Sequence, residues 1–174
     1  MAFLIYNIVI FMFGEAQELL TRDAANGRGT AASEKKRRVL VVDDETGIRK
    51  ILGEMIKCQG YDVEAAVDGQ DGLDKYTESL AEGRQPIDII FSDMVMPRMG
   101  GDEFLRRIKS LQDSDRISKL PYFVGMSGYD LEVQDYEARR AAYSGSAISF
   151  MGKPFKLVKI KEELARAEAY LAAA

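Results

Sequence analysis

The chain has 174 residues, of which 47% are hydrophobic and 30% are charged, a balance typical of a folded domain and not of a disordered tail. It has no histidine and one cysteine, Cys58, which excludes a Ser-His-Asp triad, a histidine-ligated zinc site and an intrachain disulfide. The net charge is −4 and the one basic run, at residues 35–38, is short, so we expect no direct binding of nucleic acid. The lone cysteine indicates a cytoplasmic protein.

The first 34 residues differ in composition from the rest, which predicts an apolar N-terminal extension and linker at 1–34 and a separate domain at 35–174. Residues 1–13 are almost wholly apolar but too few to cross a bilayer, which needs about 20 residues. They also lack the basic start and the cleavage site of a secretory signal. Two interpretations stay open for this run: packing on its own domain or on a second copy, and association with a membrane surface.

Strand and helix patterns alternate five times after the linker. Residues 39–42 form a continuous apolar run, typical of a strand buried on both faces, and apolar residues then recur at helical spacing from 48 to 56. This alternation predicts an α/β fold with a parallel sheet. The remaining predicted strands lie at 63–67, 87–91, 121–126 and 147–151, and the remaining predicted helices at 73–80, 104–111, 131–143 and 155–171.

Polar side chains stand at the carboxyl ends of four predicted strands. Asp43 and Asp44 follow the first strand, and Asp93 follows the third. Ser127 ends the fourth strand, and Lys153 comes just after the fifth. Because the carboxyl ends of parallel strands meet at one edge of a sheet, we expect these side chains to converge.

The chemistry of such a cluster points to phosphoryl transfer. Three carboxylates in one pocket repel one another unless a cation is present, and hard oxygen ligands favour Mg²⁺, with Mn²⁺ as a substitute. A lysine ammonium and a serine hydroxyl beside them can bind phosphoryl oxygens. One carboxylate is then free to act as a nucleophile and form an acyl phosphate. Taken singly, the Asp43-Asp44 pair also suits a helix cap and Lys153-Pro154 a surface turn, so the interpretation depends on their placement at successive strand ends.

Four stretches resemble the receiver domains of two-component response regulators, and they occur in the order found in that family. They read VLVVDDE at 39–45, FSDMVMPRMGG at 91–101, PYFVGMSG at 121–128 and FMGKPF at 150–155. The resemblance covers about residues 37–171. It implies a flavodoxin-like fold, a doubly wound, five-stranded parallel sheet with strand order 2-1-3-4-5.

The resemblance also implies a role for each residue at the strand ends. Asp93 is the expected phosphoryl acceptor. Asp44, Asp93 and the backbone carbonyl of Val95 are the expected direct ligands of Mg²⁺, and Asp43 is expected to act on the metal through a water molecule. Lys153 is expected to bind a phosphoryl oxygen and to pair with the acceptor carboxylate.

Two further residues are expected, from the same resemblance, to transmit phosphorylation. The hydroxyl of Ser127 turns toward the phosphoryl group, and Phe150 turns inward beside it. Pro154 is expected to follow a cis peptide bond. The face made by the predicted fourth helix, fifth strand and closing helix is the expected output surface, and this face or residues 1–13 are the candidates for a homodimer contact.

Glycines mark the departures from the pattern of the family. Gly100-Gly101 stands where Asp-Gly is common, which predicts a looser loop after the acceptor. Gly125 and Gly128 flank the expected switch serine where alanine is more usual, which predicts room for phosphate and a more mobile loop.

These residues together predict a phosphorylation-dependent signalling switch, which is not an enzyme beyond its own Mg²⁺-dependent phosphorylation and dephosphorylation. Because the chain lacks histidine, the donor is a separate histidine kinase or phosphotransfer protein, and the output is binding to a downstream protein. One alternative is a non-switching, receiver-like module for assembly or dimerisation. Another is a haloacid-dehalogenase-type phosphatase, disfavoured because its nucleophile lies on the first strand with Asp two positions on, whereas Asp43 is followed by Asp44-Glu45.

Overall fold

The computed structural model of the protein describes residues 36–128 and 147–173. The predicted extension at 1–34, with its two interpretations, and the predicted helix at 131–143 lie outside the described residues. The boundary between the predicted extension at 1–34 and the predicted domain at 35–174 stays a prediction. No described helix is long and apolar enough to span a membrane.

The described residues form one parallel sheet with helices between the strands. Neighbouring strands pair in the order β2-β1-β3-β4-β5, which confirms the predicted α/β fold and strand order. The strands are β1 (Arg38–Val42), β2 (Asp62–Ala66), β3 (Ile89–Asp93), β4 (Tyr122–Ser127) and β5 (Ile148–Gly152). The described helices are α1 (Thr46–Lys57), α2 (Gly69–Ser79), α3 (Gly101–Asp113) and α4 (Leu157–Ala172).

All five strands have bounds that differ from the prediction by one or two residues, and in two of them the structure shows the cause. β2 ends before Val67, whose N–H donates to the Asp71 carboxylate of α2 rather than to a neighbouring strand. β3 begins after Ile87, which is buried although its N–H donates to Ser79 Oγ at 3.2 Å. In both places the apolar pattern continues past the point where the backbone leaves the sheet, because a side chain of a helix has replaced the strand as hydrogen-bond partner.

Both faces of the sheet are covered, because alternate side chains of a strand point to opposite faces. Leu40 and Val42 of β1 pack with α2 and α3, whereas Val39 and Val41 pack with α1 and α4. All four side chains are fully buried. This double coverage is the reason that β1 reads as a continuous apolar run rather than an alternating one.

The amino ends of the strands form what we call the amino edge of the sheet, where charged side chains pair. Arg37 Nε lies 3.0 Å from Glu168 Oε2 and its Nη1 lies 3.4 Å from Asp88 Oδ1. Arg38 Nη2 lies 2.5 Å from Glu64 Oε2. Two members of the short basic run therefore pair with carboxylates of the same domain.

The same edge anchors the ends of two helices. Tyr61, just after α1, donates its hydroxyl to Glu168 Oε1 of α4 at 3.1 Å, and burial together with that carboxylate raises the pKa of Tyr61 to about 12. Lys119 donates to the Tyr170 carbonyl at 2.7 Å, which places a cation at the carboxyl end of α4. Cys58, which caps the carboxyl end of α1, is exposed at this edge.

Candidate functional site

Three carboxylates meet at the opposite edge, the carboxyl edge, where the strands end. Asp43 follows β1 directly, and Asp93 is the last residue of β3. Oxygen atoms of Asp43, Asp44 and Asp93 all lie within 4.8 Å of one another. Asp43 is fully buried and Asp93 nearly so, whereas Asp44 is exposed. The acidic cluster expected from the sequence is therefore assembled, and it is open to solvent on the side of Asp44.

Lys153 bridges two of the three carboxylates. Its Nζ lies 2.7 Å from Asp43 Oδ2 and 2.7 Å from Asp93 Oδ2. The backbone N–H of Lys153 donates to the Ser127 carbonyl at 2.6 Å, so the residue also ties the end of β5 to the end of β4. The Lys153-Pro154 peptide bond is cis, as predicted.

The electrostatics of this bridge follow from burial. Burial raises the pKa of Asp43 above its ordinary value, more than the hydrogen bonds from Lys153 lower it. Burial lowers the pKa of Lys153, but its hydrogen bonds to Asp43 and Asp93 outweigh this effect, and the pKa stands above its ordinary value. Lys153 therefore keeps its positive charge at neutral pH.

Ser127 and Phe150 lie on the strands that complete this edge. Ser127, at the end of β4, is buried, and its hydroxyl donates to the Gly128 carbonyl at 3.3 Å. Phe150 on β5 is 6% exposed, so its ring lies inward in this structure. Phe150 pairs in register with Gly125 of β4, two residues before Ser127.

The Phe150 ring fills the space beside Gly125. A Cβ atom placed on Gly125 would lie 2.5 Å from Phe150 Cδ1 and 2.8 Å from Met94 Sδ, distances that no real Cβ tolerates. The expectation that Gly125 leaves room for phosphate was wrong, because an aromatic side chain already fills that room. Gly128 differs, since a Cβ atom there would meet none of the described residues within 4 Å.

The loop between β3 and α3 is closed tightly behind Asp93. Val95 is 76% exposed, and its N–H donates to Asp93 Oδ1 at 3.2 Å. The N–H of Gly101 donates to the Met94 carbonyl at 3.2 Å, and a Cβ atom on Gly101 would lie 2.5 Å from the Asp93 carbonyl oxygen. A Cβ atom on Gly100 would lie 2.8 Å from the Met94 oxygen. The glycine pair thus permits close approach of the backbone, which is a different role from the looser loop that we expected.

This loop is also attached to α2, through residues that the sequence patterns did not single out. Arg98 has a φ of 64° and its guanidinium pairs with the buried carboxylate of Asp68. Asp68 caps α2 by accepting hydrogen bonds from the N–H groups of Gln70 and Asp71. The Asp68-Gly69 step ahead of a helix was a cap signal in the sequence, but nothing there indicated Arg98 as a partner.

A second missed residue lies on α1. Arg49 Nη1 donates to the backbone carbonyls of Asp43 at 2.6 Å and of Asp44 at 2.9 Å. Its Nη2 donates to Thr46 Oγ1 at 2.8 Å. Arg49 occupies a polar position between the apolar residues of α1, so the periodicity of the helix marked it as a surface residue.

Comparisons with known proteins agree with this fold. The family model of the response regulator receiver domain matches residues 39–165. The chain is 32% identical over 154 residues to chemotaxis protein CheV3 of Helicobacter pylori, covering 84% of this chain and 46% of that protein. It is 30% identical over 129 residues to chemotaxis protein CheY of Treponema pallidum, covering 74% of this chain and 80% of that protein.

Solved structures give the same result. The structure of CheY4 of Vibrio cholerae superposes with a TM-score of 0.59 at 26% identity, covering 76% of this chain and 98% of that one. A receiver domain from Clostridium thermocellum superposes with a TM-score of 0.64 at 20% identity, covering 79% of this chain and 98% of that one, and this likeness shows the fold alone.

The sheet order and the acidic edge define a domain of the two-component signalling type. The chain belongs to the response regulator receiver domain family. It spans about half the length of the first curated relatives that it matches, 46% of CheV3 and 50% of response regulator MprA of Mycolicibacterium vanbaalenii.

Proposed function

We propose that this chain is a phosphorylation-dependent signalling switch in which Asp93 accepts a phosphoryl group from a histidine kinase or a phosphotransfer protein. The observation that carries the proposal is the convergence of Asp43, Asp44 and Asp93 within 4.8 Å, with Lys153 bonded to two of them. In the transfer, an Asp93 carboxylate oxygen forms a bond to phosphorus while the bond from phosphorus to the donor imidazole nitrogen breaks. The imidazole leaves as the neutral base after it takes up a proton.

The donor set suits a hard divalent cation. Three carboxylates offer oxygen ligands of the kind that Mg²⁺ and Mn²⁺ prefer, and Asp44 faces solvent, where a bound cation would keep its water ligands. We assign Asp44, Asp93 and the Val95 carbonyl as direct ligands and Asp43 as a partner through water. The cation supplies charge neutralisation for the transferred phosphoryl oxygens.

Lys153 and Ser127 bind the phosphoryl oxygens once they are present. Lys153 is already within hydrogen-bond distance of the Asp93 carboxylate and stays charged. The hydroxyl of Ser127 is held by one long hydrogen bond of 3.3 Å to the Gly128 carbonyl. Such a bond is weak, so turning the hydroxyl toward a phosphoryl group costs little. A shift of Ser127 changes the surroundings of Phe150, and we assign this pair as the switch that changes binding of a downstream protein.

The chain catalyses only its own phosphorylation and dephosphorylation in this proposal, and the cytoplasm is its location on the evidence of the lone cysteine. The phosphatase alternative is disfavoured further, because Asp93, the carboxylate bonded to Lys153 and to the Val95 N–H, ends β3 and not β1. The assembly module stays as the second candidate, since it needs the scaffold but not the phosphoryl chemistry.

The test is intact mass after incubation with Mg²⁺ and acetyl phosphate. We expect the wild type and Asp113→Asn, an exposed aspartate at the end of α3, to gain one phosphoryl group, and Asp93→Asn to gain none. Omitting Mg²⁺ abolishes the gain. A folded wild type that binds neither phosphoryl nor beryllofluoride would favour the assembly module, because beryllofluoride does not depend on the lifetime of an acyl phosphate.

A further inference from the structure

Arg49 acts on the backbone that carries two of the three carboxylates. Its guanidinium donates to the carbonyl oxygens of Asp43 and Asp44 at 2.6 and 2.9 Å and to Thr46 Oγ1 at 2.8 Å. The guanidinium is planar and presents its N–H groups in a fixed fork, so three acceptors bound at once define the path of the loop between β1 and α1. A single side chain therefore fixes both acidic residues by their main chain.

The three carboxylates differ in what holds them. The Asp43 carboxylate accepts from Lys153 and from the Glu45 N–H at 2.9 Å, and the Asp93 carboxylate accepts from Lys153 and the Val95 N–H. In the part of the chain that the structure describes, no side-chain or backbone donor holds the exposed Asp44 carboxylate. Its position depends on its own backbone, and that backbone is held by Arg49.

We propose that Arg49 is a positioning residue, which preorganises the loop at Asp43 and Asp44 so that the Asp44 carboxylate meets a divalent cation at low entropic cost. This inference rests on the proposed function. Arg49 also occupies the two backbone carbonyls, which are hard oxygen donors that would otherwise compete with the carboxylates for the cation. The loop then offers the cation its side chains and not its main chain.

A geometric role and a charge role predict opposite results when Arg49 is changed. A guanidinium beside the cluster repels a divalent cation, so loss of its charge alone would strengthen cation binding. Loss of the hydrogen bonds lets the loop relax and weakens binding. Arg49→Lys keeps the charge but cannot bond all three acceptors, whereas Arg49→Met removes both the charge and the bonds.

The experiment is calorimetric titration of the full chain with Mg²⁺, repeated with Mn²⁺. We expect Arg49→Lys and Arg49→Met each to weaken affinity roughly tenfold or more, in the range typical of residues that orient metal ligands. Thr46→Ala, which leaves the guanidinium on both carbonyls, should weaken affinity less. Arg107→Met is the matched control, because Arg107 is an exposed arginine on α3 paired with Glu103. The affinity of this variant for Mg²⁺ should equal that of the wild type.

Each of the following outcomes would overturn the proposal. Affinity of Arg49→Lys equal to that of the wild type would assign Arg49 a charge role, and tighter binding by Arg49→Met would do the same. A parallel loss of affinity and of metal-free unfolding free energy in every variant at this loop, including Thr46→Ala, would mark Arg49 as a residue of general stability. A wild type that binds no Mg²⁺ would overturn the proposed metal site as well, whereas equal binding by all variants would overturn the role of Arg49 alone.

Discussion

The two edges of the sheet are built from opposite arrangements of charge. At the amino edge arginines pair with carboxylates of the same domain, as Arg37 does with Asp88 and Glu168. At the carboxyl edge three carboxylates converge and one ammonium, that of Lys153, bonds to two of them. The amino edge is neutralised by the fold itself, whereas the carboxyl edge retains negative charge. The comparison teaches that uncompensated negative charge is kept at the edge where the proposed function places a cation and a phosphoryl group.

The means of fixation also differ between the edges. Side chains hold one another at the amino edge, where Glu163, fully buried on α4, accepts from the Tyr122 hydroxyl at 3.2 Å and from Arg166 at 2.7 Å. Arginines hold backbone or a helix cap at the carboxyl edge, as Arg49 and Arg98 do. The carboxylates of the site therefore stay available while the loops under them are fixed.

Removal of the Lys153 ammonium, which bridges two carboxylates at the carboxyl edge, should give the largest change in the free energy of unfolding. Lys153→Met leaves the buried Asp43 carboxylate without its cationic partner, and we expect the free energy of unfolding to fall by about 3 to 5 kcal/mol. Urea denaturation in the absence of metal measures this loss. Added Mg²⁺ should restore part of it in the variant, because a cation then takes the place of the ammonium. Equal stability of wild type and variant would show that the bridge contributes no net stability.

The packing of Phe150 against Gly125 predicts the next effect. Gly125→Ala forces the Phe150 ring out of its place, and we expect a loss of about 1 to 3 kcal/mol, the usual cost of overpacking a core. Gly128→Ala is the matched control, since its Cβ collides with none of the described residues. The double variant Gly125→Ala with Phe150→Ala should lose less than the sum of the single changes, because removal of the ring relieves the collision. Additive losses would contradict this account of the pair.

Removal of one carboxylate should change stability in opposite directions at the two edges. Asp88→Asn breaks contacts with Arg37 and with the Arg38 N–H, and we expect a loss of about 1 kcal/mol. Asp44→Asn reduces repulsion among three carboxylates, so without metal it should raise stability by up to about 0.5 kcal/mol while Mg²⁺ binding falls. Urea denaturation of each variant, with and without Mg²⁺, measures the change in stability and its dependence on the cation. Destabilisation by both changes in the absence of metal would contradict the stated difference in charge between the two edges.

High pH should act on the amino edge through Tyr61. The pKa of Tyr61 is raised to about 12 in the folded protein, so the hydroxyl stays protonated there at pH values where it ionises in the unfolded chain. Its contribution is complete below the unfolded pKa of about 10 and is lost as the pH rises toward 12. Tyr61→Phe, which loses about 1 kcal/mol at neutral pH, should reduce the fall in stability between pH 10 and 12. An unchanged fall would exclude Tyr61 as its source.

The regular part of the fold could be predicted from the sequence because it depends on local patterns. The apolar run of β1 and the helical spacing in α1 report burial within a few residues. The convergence of Asp43, Asp93 and Lys153 then followed from the rule that parallel strands end at one edge, and the structure brings them together.

The remainder depends on contacts between distant residues that no local pattern records. Arg37 and Glu168 are 131 positions apart, and nothing near either residue indicates the other. The room at Gly125 was misassigned because the sequence shows the absence of a side chain but not which ring fills the space. Arg49 was missed for a related reason, since its acceptors are backbone carbonyls, which every residue has.

The exposed position of Cys58 has a practical consequence. It is the only cysteine in the chain, and it caps the carboxyl end of α1 at the amino edge. Its thiol and the three carboxylates therefore lie at opposite edges of the sheet. A maleimide dye or a surface tether coupled there would leave the edge that carries Asp93, the proposed phosphoryl acceptor, facing outward without any engineered residue. Binding of a kinase or a target to the immobilised protein could then be followed in real time on a molecule of uniform orientation.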